Sequence, residues 1–341
     1  MKRKDFIRAA TGIMAGVSGL GLSSFSELKE SNPLKLAHNL KPGSTIALTA
    51  PAGAIWNAKQ IDKIRTILND EGFNIVIGET NYQQEGYLAG SDKERAHELM
   101  SFFENDKIDA ILTMRGGWGC ARILDLLDYD IIAKHPKIIM GFSDITSLIN
   151  AIYLKTNLVT FHGPSGYSSW GKFTLNHVKK ALVSTLPFQL KNPPENKKEL
   201  KTWSTGKAKG RLIGGNLTVI VSMIGTGYEP NWKGKLLFLE EIGEEPYRID
   251  RMLWQLKQAG VFKKINGLIL GSFKNCTPEE PAKSYELAEV FEQHFRSSPT
   301  PVYQGASFGH IAPKFTIPIG VLAEMDADKK IINTLEKAVK I

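Results

Sequence analysis

The chain has 341 residues, 42% of them hydrophobic, and a formal net charge of +8. This composition excludes a disordered or repeat protein, and the length predicts about two domains. The two cysteines, Cys120 and Cys276, are too few for a disulfide framework or a structural zinc site, and no basic cluster interleaved with aromatic residues indicates nucleic-acid binding. We therefore expect no metal, no cofactor and no nucleic-acid partner.

Residues 1–26 have the pattern of an export signal. A basic start precedes Ala9 to Leu22, a run that is too short and too rich in glycine for a stable membrane span. Arg3 to Arg8 resembles a twin-arginine signal with Lys4 in place of the second arginine. The segment predicts export, with the periplasm as the destination. The alternative is an uncleaved tail on a cytoplasmic protein.

An N-terminal α/β domain is predicted for residues 40–186. Ser44 to Ala50 and Phe73 to Ile77 are apolar strand-like runs, and an amphipathic helix pattern separates them. This β-loop-α-β order is the building block of a parallel sheet covered by helices. Ser91 and Glu94 form a capping-box pattern at the start of the next helix.

A glycine-rich loop follows the next predicted strand, Ile108 to Thr113. The loop reads Arg115-Gly116-Gly117-Trp118-Gly119, and glycines between a strand and a helix let backbone N–H groups approach a ligand closely. The spacing is GGxG rather than GxGxxG, so a dinucleotide loop is only weakly supported. An oxyanion hole fits the pattern better.

A sharp turn at Gly141-Phe142-Ser143-Asp144 joins an apolar strand to a helix within Lys137 to Asn150. A serine on such a turn exposes its hydroxyl near the positive end of the helix dipole, as a nucleophile would be displayed. The alternative is that Ser143 only caps the helix. The turn comes one βα unit after the glycine-rich loop, so a parallel sheet would place both at the same carboxyl edge. His162, at the next strand end, is expected to have a structural or substrate-shell role rather than that of a base.

Residues 187–207 are polar and rich in proline and lysine, which predicts a solvated linker. A second, β-rich domain is predicted for residues 208–341, with a helix from Asn216 to Ile224. Its strand from Lys235 to Leu239 ends at the pair Glu240 and Glu241. Neighbouring strand residues face opposite sides, which weakens a glycosidase interpretation of the two acids. The last strands are predicted as an antiparallel pair.

Seven motifs together resemble the LD-carboxypeptidase family of serine peptidases, which includes the microcin C self-immunity proteins. In chain order they are TAPAG at 49–53, RGGWG at 115–119, GFSD at 141–144, HGP at 162–164, GGNL at 214–217, LEEIGEEPYRIDR at 239–251 and GH at 309–310. The resemblance implies a class I glutamine-amidotransferase-like α/β domain followed by a smaller β-rich α+β domain, and a homodimer.

The resemblance also implies the catalytic residues: Ser143 as nucleophile, His310 as base and Glu240 as the group that orients the base. Serine needs a base to remove its proton, and the imidazolium then formed needs an anionic partner. The backbone N–H groups of Gly116 or Gly117 and of Asp144 would hold the oxyanion. Because these residues come from both halves of the chain, the site is predicted in an interdomain cleft.

The implied reaction is hydrolysis of the amide between a diamino acid and the terminal D-alanine of a murein tetrapeptide. An arginine fork is a natural partner for the terminal carboxylate, and Arg115 and Arg211 are the candidates. One alternative is an amidase of the microcin C type, with Trp170 or Trp232 stacking on a base. Another is a noncatalytic murein-binding protein.

Overall fold

Two β-sheets form the framework of the protein in the computed structural model, which describes residues 33–341. The predicted export signal, residues 1–26, lies outside the described residues. None of the helices within 33–341 is long and apolar enough to cross a bilayer.

The strands, in chain order, are β1 (Thr45–Thr49), β2 (Asn74–Ile77), β3 (Ala110–Thr113), β4 (Ile138–Gly141), β5 (Thr160–His162), β6 (Gln189–Leu190), β7 (Lys201–Ser204), β8 (Lys207–Asn216), β9 (Lys235–Ile242), β10 (Gly267–Lys274), β11 (Val302–Gln304), β12 (Ile317–Ile319), β13 (Leu322–Asp326) and β14 (Ile331–Thr334). The helices are α1 (Lys59–Asp70), α2 (Asp92–Glu104), α3 (Cys120–Ile123), α4 (Tyr129–Lys134), α5 (Ile145–Thr156), α6 (Lys172–Leu182), α7 (Leu217–Met223), α8 (Pro246–Gln258), α9 (Val261–Lys264) and α10 (Leu287–Phe295).

The first sheet has the order β12-β5-β4-β3-β1-β2, and every neighbouring pair is parallel except β12 with β5. Its central strands β3 and β4 are buried at every position, as apolar strands covered on both faces must be. The parallel sheet predicted from the sequence is confirmed. The loops that follow β1, β3 and β4 therefore share one edge of the sheet.

Helices cover this sheet through the apolar stripes that the sequence predicts. Ile61, Ile64 and Leu68 form the buried face of α1. The capping box at the start of α2 is present, with Ser91 and Glu94 each bonding the other's backbone N–H. Side chains of α5 are buried on almost every side, because this helix lies between the two sheets and contacts both β4 and β8.

The second sheet has the order β6-β14-β13-β8-β9-β10-β11-β7. The four strands β8, β9, β10 and β11 are parallel to one another, and the outer pairs are antiparallel. The antiparallel pair predicted at the end of the chain is confirmed as β13 and β14. In the pairing of β8 with β9, Asn216 lies opposite Glu240, so both residues are at the carboxyl end of the parallel strands.

Two features differ from the simple order of a first half, a linker and a second half. Strand β12, from the second half of the chain, pairs with β5 of the first sheet. The segment 187–207, expected to be a linker, contributes β6, β7 and the first residue of β8 to the second sheet. Residues 34–341 form one compact unit. The domain bounds given by the sequence remain a prediction.

Candidate active site

Ser143 occupies the turn between β4 and α5 with a backbone φ of +65°, in the left-handed region. A residue other than glycine rarely adopts this conformation, which costs on the order of 1–3 kcal/mol and occurs preferentially at functional sites. The N-cap residue of α5 is Asp144, and the helix start has no side-chain cap bond. The alternative in which Ser143 only caps the helix is therefore wrong.

Gly116 packs directly on Ser143. A Cβ placed at Gly116 would lie 2.8 Å from the Ser143 Cβ, 2.9 Å from its Oγ and 2.8 Å from the backbone nitrogen of Asp144. Gly117, with a φ of +97°, continues the loop. Only a chain without side chains at this point can approach the turn so closely. The structure thus brings the predicted oxyanion loop and the predicted nucleophile together.

The backbone N–H groups of Gly117 and Asp144 have no acceptor among the described residues. The carbonyl of Gly116, in contrast, accepts a hydrogen bond from the N–H of Gly53 at 3.1 Å, which ties the loop to the TAPAG segment. One of these N–H groups belongs to the glycine-rich loop and the other to the Ser143 turn, and these two segments pack against each other. They are available to stabilise an oxyanion there.

Asp144 contributes its side chain to the fold of the loop. Its Oδ2 accepts a hydrogen bond at 2.8 Å from the N–H of Cys120, the first residue of α3. Burial raises the pKa of the Asp144 carboxyl, while the bond from Cys120 lowers it. The residue after the candidate nucleophile therefore holds the end of the glycine-rich loop in place.

His310 and Glu240 form a direct pair. Nδ1 of His310 lies 2.8 Å from Oε2 of Glu240, and the Glu240 side chain is fully buried. A Cβ placed at Gly309 would lie 2.6 Å from the same oxygen, so the loop needs glycine there to bring the imidazole onto the carboxylate. The carboxylate that pairs with Arg248, at 3.6 Å, is that of Glu244 and not that of Glu240.

Glu241 points to the opposite face of β9. Its carboxylate accepts hydrogen bonds from Nδ2 of Asn216 at 2.8 Å and from the N–H and hydroxyl of Thr218 at 2.9 and 2.8 Å. Burial raises its pKa. The sequence argument that only one of the two neighbouring acids can serve a given site is confirmed.

Phe142 connects the two halves of the site. Its ring centroid lies 4.8 Å from that of His310, and Phe142 directly precedes Ser143. The histidine from the second half of the chain therefore packs on the turn that carries the serine. Contacts thus run from Glu240 to His310 and from His310 to Phe142, the residue before Ser143, and the catalytic roles of the three residues stay a prediction.

His162 lies beneath this region and is fully buried. Its ring packs edge-on against Phe142, Phe238 and Phe308, with centroid distances of 6.2, 5.3 and 6.0 Å. Burial lowers its pKa to about 4, partly opposed by Glu240, so the imidazole is neutral at pH 7. Neither ring nitrogen has a hydrogen-bond partner among the described residues. A packing role fits these surroundings, as the sequence predicts.

Arg115 is the first residue of the glycine-rich loop, and its side chain stays close to that loop. Its Nη1 donates to the carbonyl of Ala54 at 2.9 Å, and its guanidinium lies 5.9 Å from the ring centroid of Tyr167. A Cβ placed at Gly117 would lie 3.2 Å from its Nη2. Arg115 is therefore close to the candidate oxyanion loop, and its role as a carboxylate ligand stays a prediction.

Arg211 lies elsewhere on the second sheet. It lies in the middle of β8, opposite Lys235 of β9. Asn216, which is opposite Glu240, is five residues or roughly 16 Å further along the strand. Its Nη1 bonds to the carboxylate of Glu336 at 2.5 Å and to the carbonyl of Gly320 at 2.8 Å. The role predicted for Arg211 is likewise untested, and its place on the strand does not favour it.

Arg95 is a site residue that sequence reasoning missed. Its side chain is fully buried on α2, and its Nη1 donates to the carbonyls of Pro51 at 2.6 Å and Gly119 at 2.9 Å. It also pairs with Asp92. One guanidinium thus joins the TAPAG segment to the end of the glycine-rich loop. The only signal in the sequence was an arginine one residue before the first apolar position of an otherwise amphipathic helix.

Two protein-family models match the chain. The model described as the LD-carboxypeptidase N-terminal domain matches residues 46–163, and the model described as the C-terminal domain matches residues 209–325. Both models include parts of the site: the first contains the serine turn and glycine-rich loop, and the second contains Glu240 and His310.

Curated relatives and solved structures agree with these matches. The chain is 39% identical over 292 residues to a probable murein peptide carboxypeptidase of Bacillus subtilis, covering 85% of this chain and 91% of the relative. It is 31% identical over 294 residues to the murein tetrapeptide carboxypeptidase of Pseudomonas aeruginosa, covering 83% and 94%. A solved structure of the microcin C7 self-immunity protein MccF, in an inactive mutant apo state, superposes with a TM-score of 0.83 at 30% identity, covering 90% of this chain and all of that one.

Proposed function

The chain belongs to the LD-carboxypeptidase family and is a serine carboxypeptidase, and from this premise we propose that it removes the terminal D-alanine from murein tetrapeptides. The bond cleaved is the amide between the L-configured centre of the diamino acid and D-alanine. Ser143, His310 and Glu240 act as the catalytic residues. The observation that carries the proposal is the 2.8 Å contact between His310 and Glu240 beside a serine held at positive φ.

The mechanism follows from the positions of these groups. His310 takes the proton of the Ser143 hydroxyl through Nε2, and the Ser143 Oγ forms a bond to the scissile carbonyl carbon. Glu240 holds Nδ1 of the imidazole and stabilises the positive charge that develops. The carbonyl oxygen becomes an oxyanion, and the N–H groups of Gly117 and Asp144 donate to it.

The tetrahedral intermediate collapses when the C–N bond breaks and His310 passes its proton to the amine of D-alanine. This leaves the tripeptide as an acyl ester on Ser143. Water then attacks the ester carbonyl while His310 accepts a proton from it. The bond between the acyl carbon and the Ser143 Oγ breaks as His310 returns that proton to Oγ, and the tripeptide leaves with a new carboxylate. His310 accepts a proton in each attack and donates that proton in the collapse that follows, so no other acid or base is needed.

We propose in addition that residues 1–26 direct export to the periplasm and that the enzyme is a homodimer. An exported enzyme would meet its tetrapeptides in the peptidoglycan outside the inner membrane. Cell fractionation with and without the N-terminal segment tests the first part. Light scattering of the purified protein tests the second.

The likeness to MccF supports a second candidate, an amidase that acts on peptidyl or aminoacyl adenylate analogues. This candidate needs an aromatic ring that stacks on the base. Trp170 and Trp232 are 8% and 2% exposed, and their indole N–H groups donate to the carbonyl of Ser165 and the carboxylate of Glu229. Neither ring has a free face for a nucleotide. Neither of the two tryptophans expected from the sequence is therefore free to stack on a base.

The experiment compares three substrates with the purified protein: a murein tetrapeptide, a murein pentapeptide and an adenylate conjugate. We expect release of D-alanine from the tetrapeptide, abolished by Ser143→Ala. Turnover of the adenylate conjugate alone would favour the amidase. Binding of the tetrapeptide without turnover would favour a noncatalytic murein-binding protein.

A further inference from the structure

Lys314 places a buried cation beside the candidate catalytic residues. Its side chain is 4% exposed, and its Nζ lies 3.9 Å from the ring centroid of Phe142. The same ring contacts the imidazole of His310, at 4.8 Å between centroids, and the residue after Phe142 in the chain is Ser143. The ammonium and the His310 imidazole therefore both contact the Phe142 ring, which belongs to the residue next to Ser143.

The hydrogen-bonding capacity of this ammonium is largely unused. An ammonium has three donors, and one of them reaches the hydroxyl of Ser168 at 3.3 Å. No carboxylate oxygen of a described residue lies within 4.0 Å of Nζ. Burial lowers the Lys314 pKa to about 8, although attraction from Glu240 opposes this, so the group is still mostly charged at pH 7. A buried charge without an ion-pair partner is costly, and such a cost is retained where a ligand supplies the partner.

The substrate of the proposed reaction carries a suitable anion at a suitable distance. The terminal carboxylate of the peptide is one residue, or about 3.8 Å, beyond the carbonyl that Ser143 attacks. Arg115 donates to the carbonyl of Ala54, and Arg211, in the middle of β8, is bonded to Glu336. Lys314 is the cation that lies against the residue preceding the nucleophile.

We propose that the ammonium of Lys314 binds the terminal carboxylate of the peptide substrate and so restricts cleavage to the last amide of a free C-terminus. This inference rests on the proposed function, because it assigns a ligand to the same site. Lys314 acts here as a specificity-determining residue. The hydroxyl of Ser168 keeps the ammonium in place while the site is empty.

The experiment compares a murein tetrapeptide that ends in D-alanine with the same peptide ending in D-alaninamide. For the unmodified protein we expect kcat/KM to be about 10- to 100-fold higher for the free acid, as the loss of a charge-assisted bond predicts. Lys314→Met, of similar length and without charge, should bring this ratio close to one. Lys274→Met is the matched control, because Lys274 is an exposed lysine that acts electrostatically on Lys314, and it should leave the ratio unchanged.

The dissociation constants of both peptides for Ser143→Ala, with and without Lys314→Met, give the same ratio without any turnover. An acid-to-amide ratio in binding that disappears with Lys314→Met supports the inference even if the protein hydrolyses neither peptide, in which case only the proposed function fails. A ratio that survives Lys314→Met, or that is lost with Arg115→Met instead, overturns the inference. An equal fall in kcat/KM for both peptides also overturns it, since that result would mean that Lys314 acts on the catalytic residues and not on the carboxylate.

Discussion

Oε2 of Glu240 lies 2.8 Å from Nδ1 of His310, while the second oxygen, Oε1, is buried without a hydrogen-bond partner among the described residues. The carboxylate therefore has one firm contact, and that contact is with the imidazole. Among the described residues, the buried carboxylate of Glu240 bonds only to His310. Burying a charge with one partner lowers the stability of the fold, but it holds the imidazole in the orientation that a base needs.

Glu240→Gln should lower kcat by about 10³- to 10⁴-fold with little change in KM, because the amide cannot stabilise the imidazolium and favours the wrong imidazole tautomer. Steady-state kinetics with a murein tetrapeptide measures this. The matched control is Glu241→Gln, which changes the neighbouring acid on the opposite face of β9. That variant should lose thermal stability and keep most of its kcat. Equal losses of kcat in the two variants would refute the role of Glu240.

Gly116→Ala should reduce kcat/KM by at least about 100-fold, the scale of losing an oxyanion donor. The new Cβ would lie 2.8 Å from the Ser143 Cβ and from the Asp144 nitrogen, so either the loop or the serine turn must move. Gly227→Ala is the control, since a Cβ there meets no atom within 4 Å. Full activity of Gly116→Ala would show that the loop does not contact the reacting atoms.

Arg95→Met should lower kcat about 10- to 100-fold while KM changes little, because the TAPAG segment and the glycine-rich loop lose their common donor. It should also lower the melting temperature, as carbonyls left without a partner cost about 1–3 kcal/mol each. Arg122→Met is the control: Arg122 also bonds to Asp92 but is exposed and does not reach Pro51. If both variants kept kcat and lost only stability, Arg95 would be structural and not a positioning residue.

His162 should make the protein sensitive to acid. Its pKa is lowered from 6.5 to about 4 in the folded state, so the unfolded chain binds a proton in this range and the folded one does not. The contribution of His162 to the free energy of unfolding is fully present above pH 6.5. It is lost as the pH falls toward 4, by about 3 kcal/mol in total.

Urea unfolding of His162→Leu and of the unmodified protein between pH 4 and 8 checks this effect. The difference in free energy of unfolding between the two should be constant above pH 7 and should shift in favour of the variant below pH 6. The same measurement on Glu240→Gln gives the contribution of the neighbouring carboxylate, which raises the His162 pKa and so opposes the lowering by burial. Parallel curves over the whole range would contradict the prediction.

Much of the site could be predicted from the sequence because its signals are local. The strand before Ser143, the short turn and the apolar helix after it are contiguous, and the parallel order of the strands follows from their alternation with helices. The motifs around Glu240 and His310 are far apart in the chain and could be combined only through the resemblance to a family.

Other features could not be predicted because they depend on distant contacts. Arg95 reaches carbonyls 44 and 24 residues away, and hydrogen bonds from a side chain to a distant backbone leave no periodic pattern. The strands β6 and β7 are short, polar edge strands, so their composition is that of a linker. Lys314 looks like an ordinary surface lysine until the fold buries it.

The antiparallel strand β12 begins only seven positions after His310 and completes the edge of the first sheet beside β5. During synthesis, a nascent chain that has emerged as far as His162 therefore still has an open edge, and some 155 further residues must follow before residues 317–319 can close it. The sheet that carries the nucleophile is therefore one strand short throughout this interval. Any factor that keeps newly made chains from pairing through exposed strand edges would have to act on β5 until translation is almost finished.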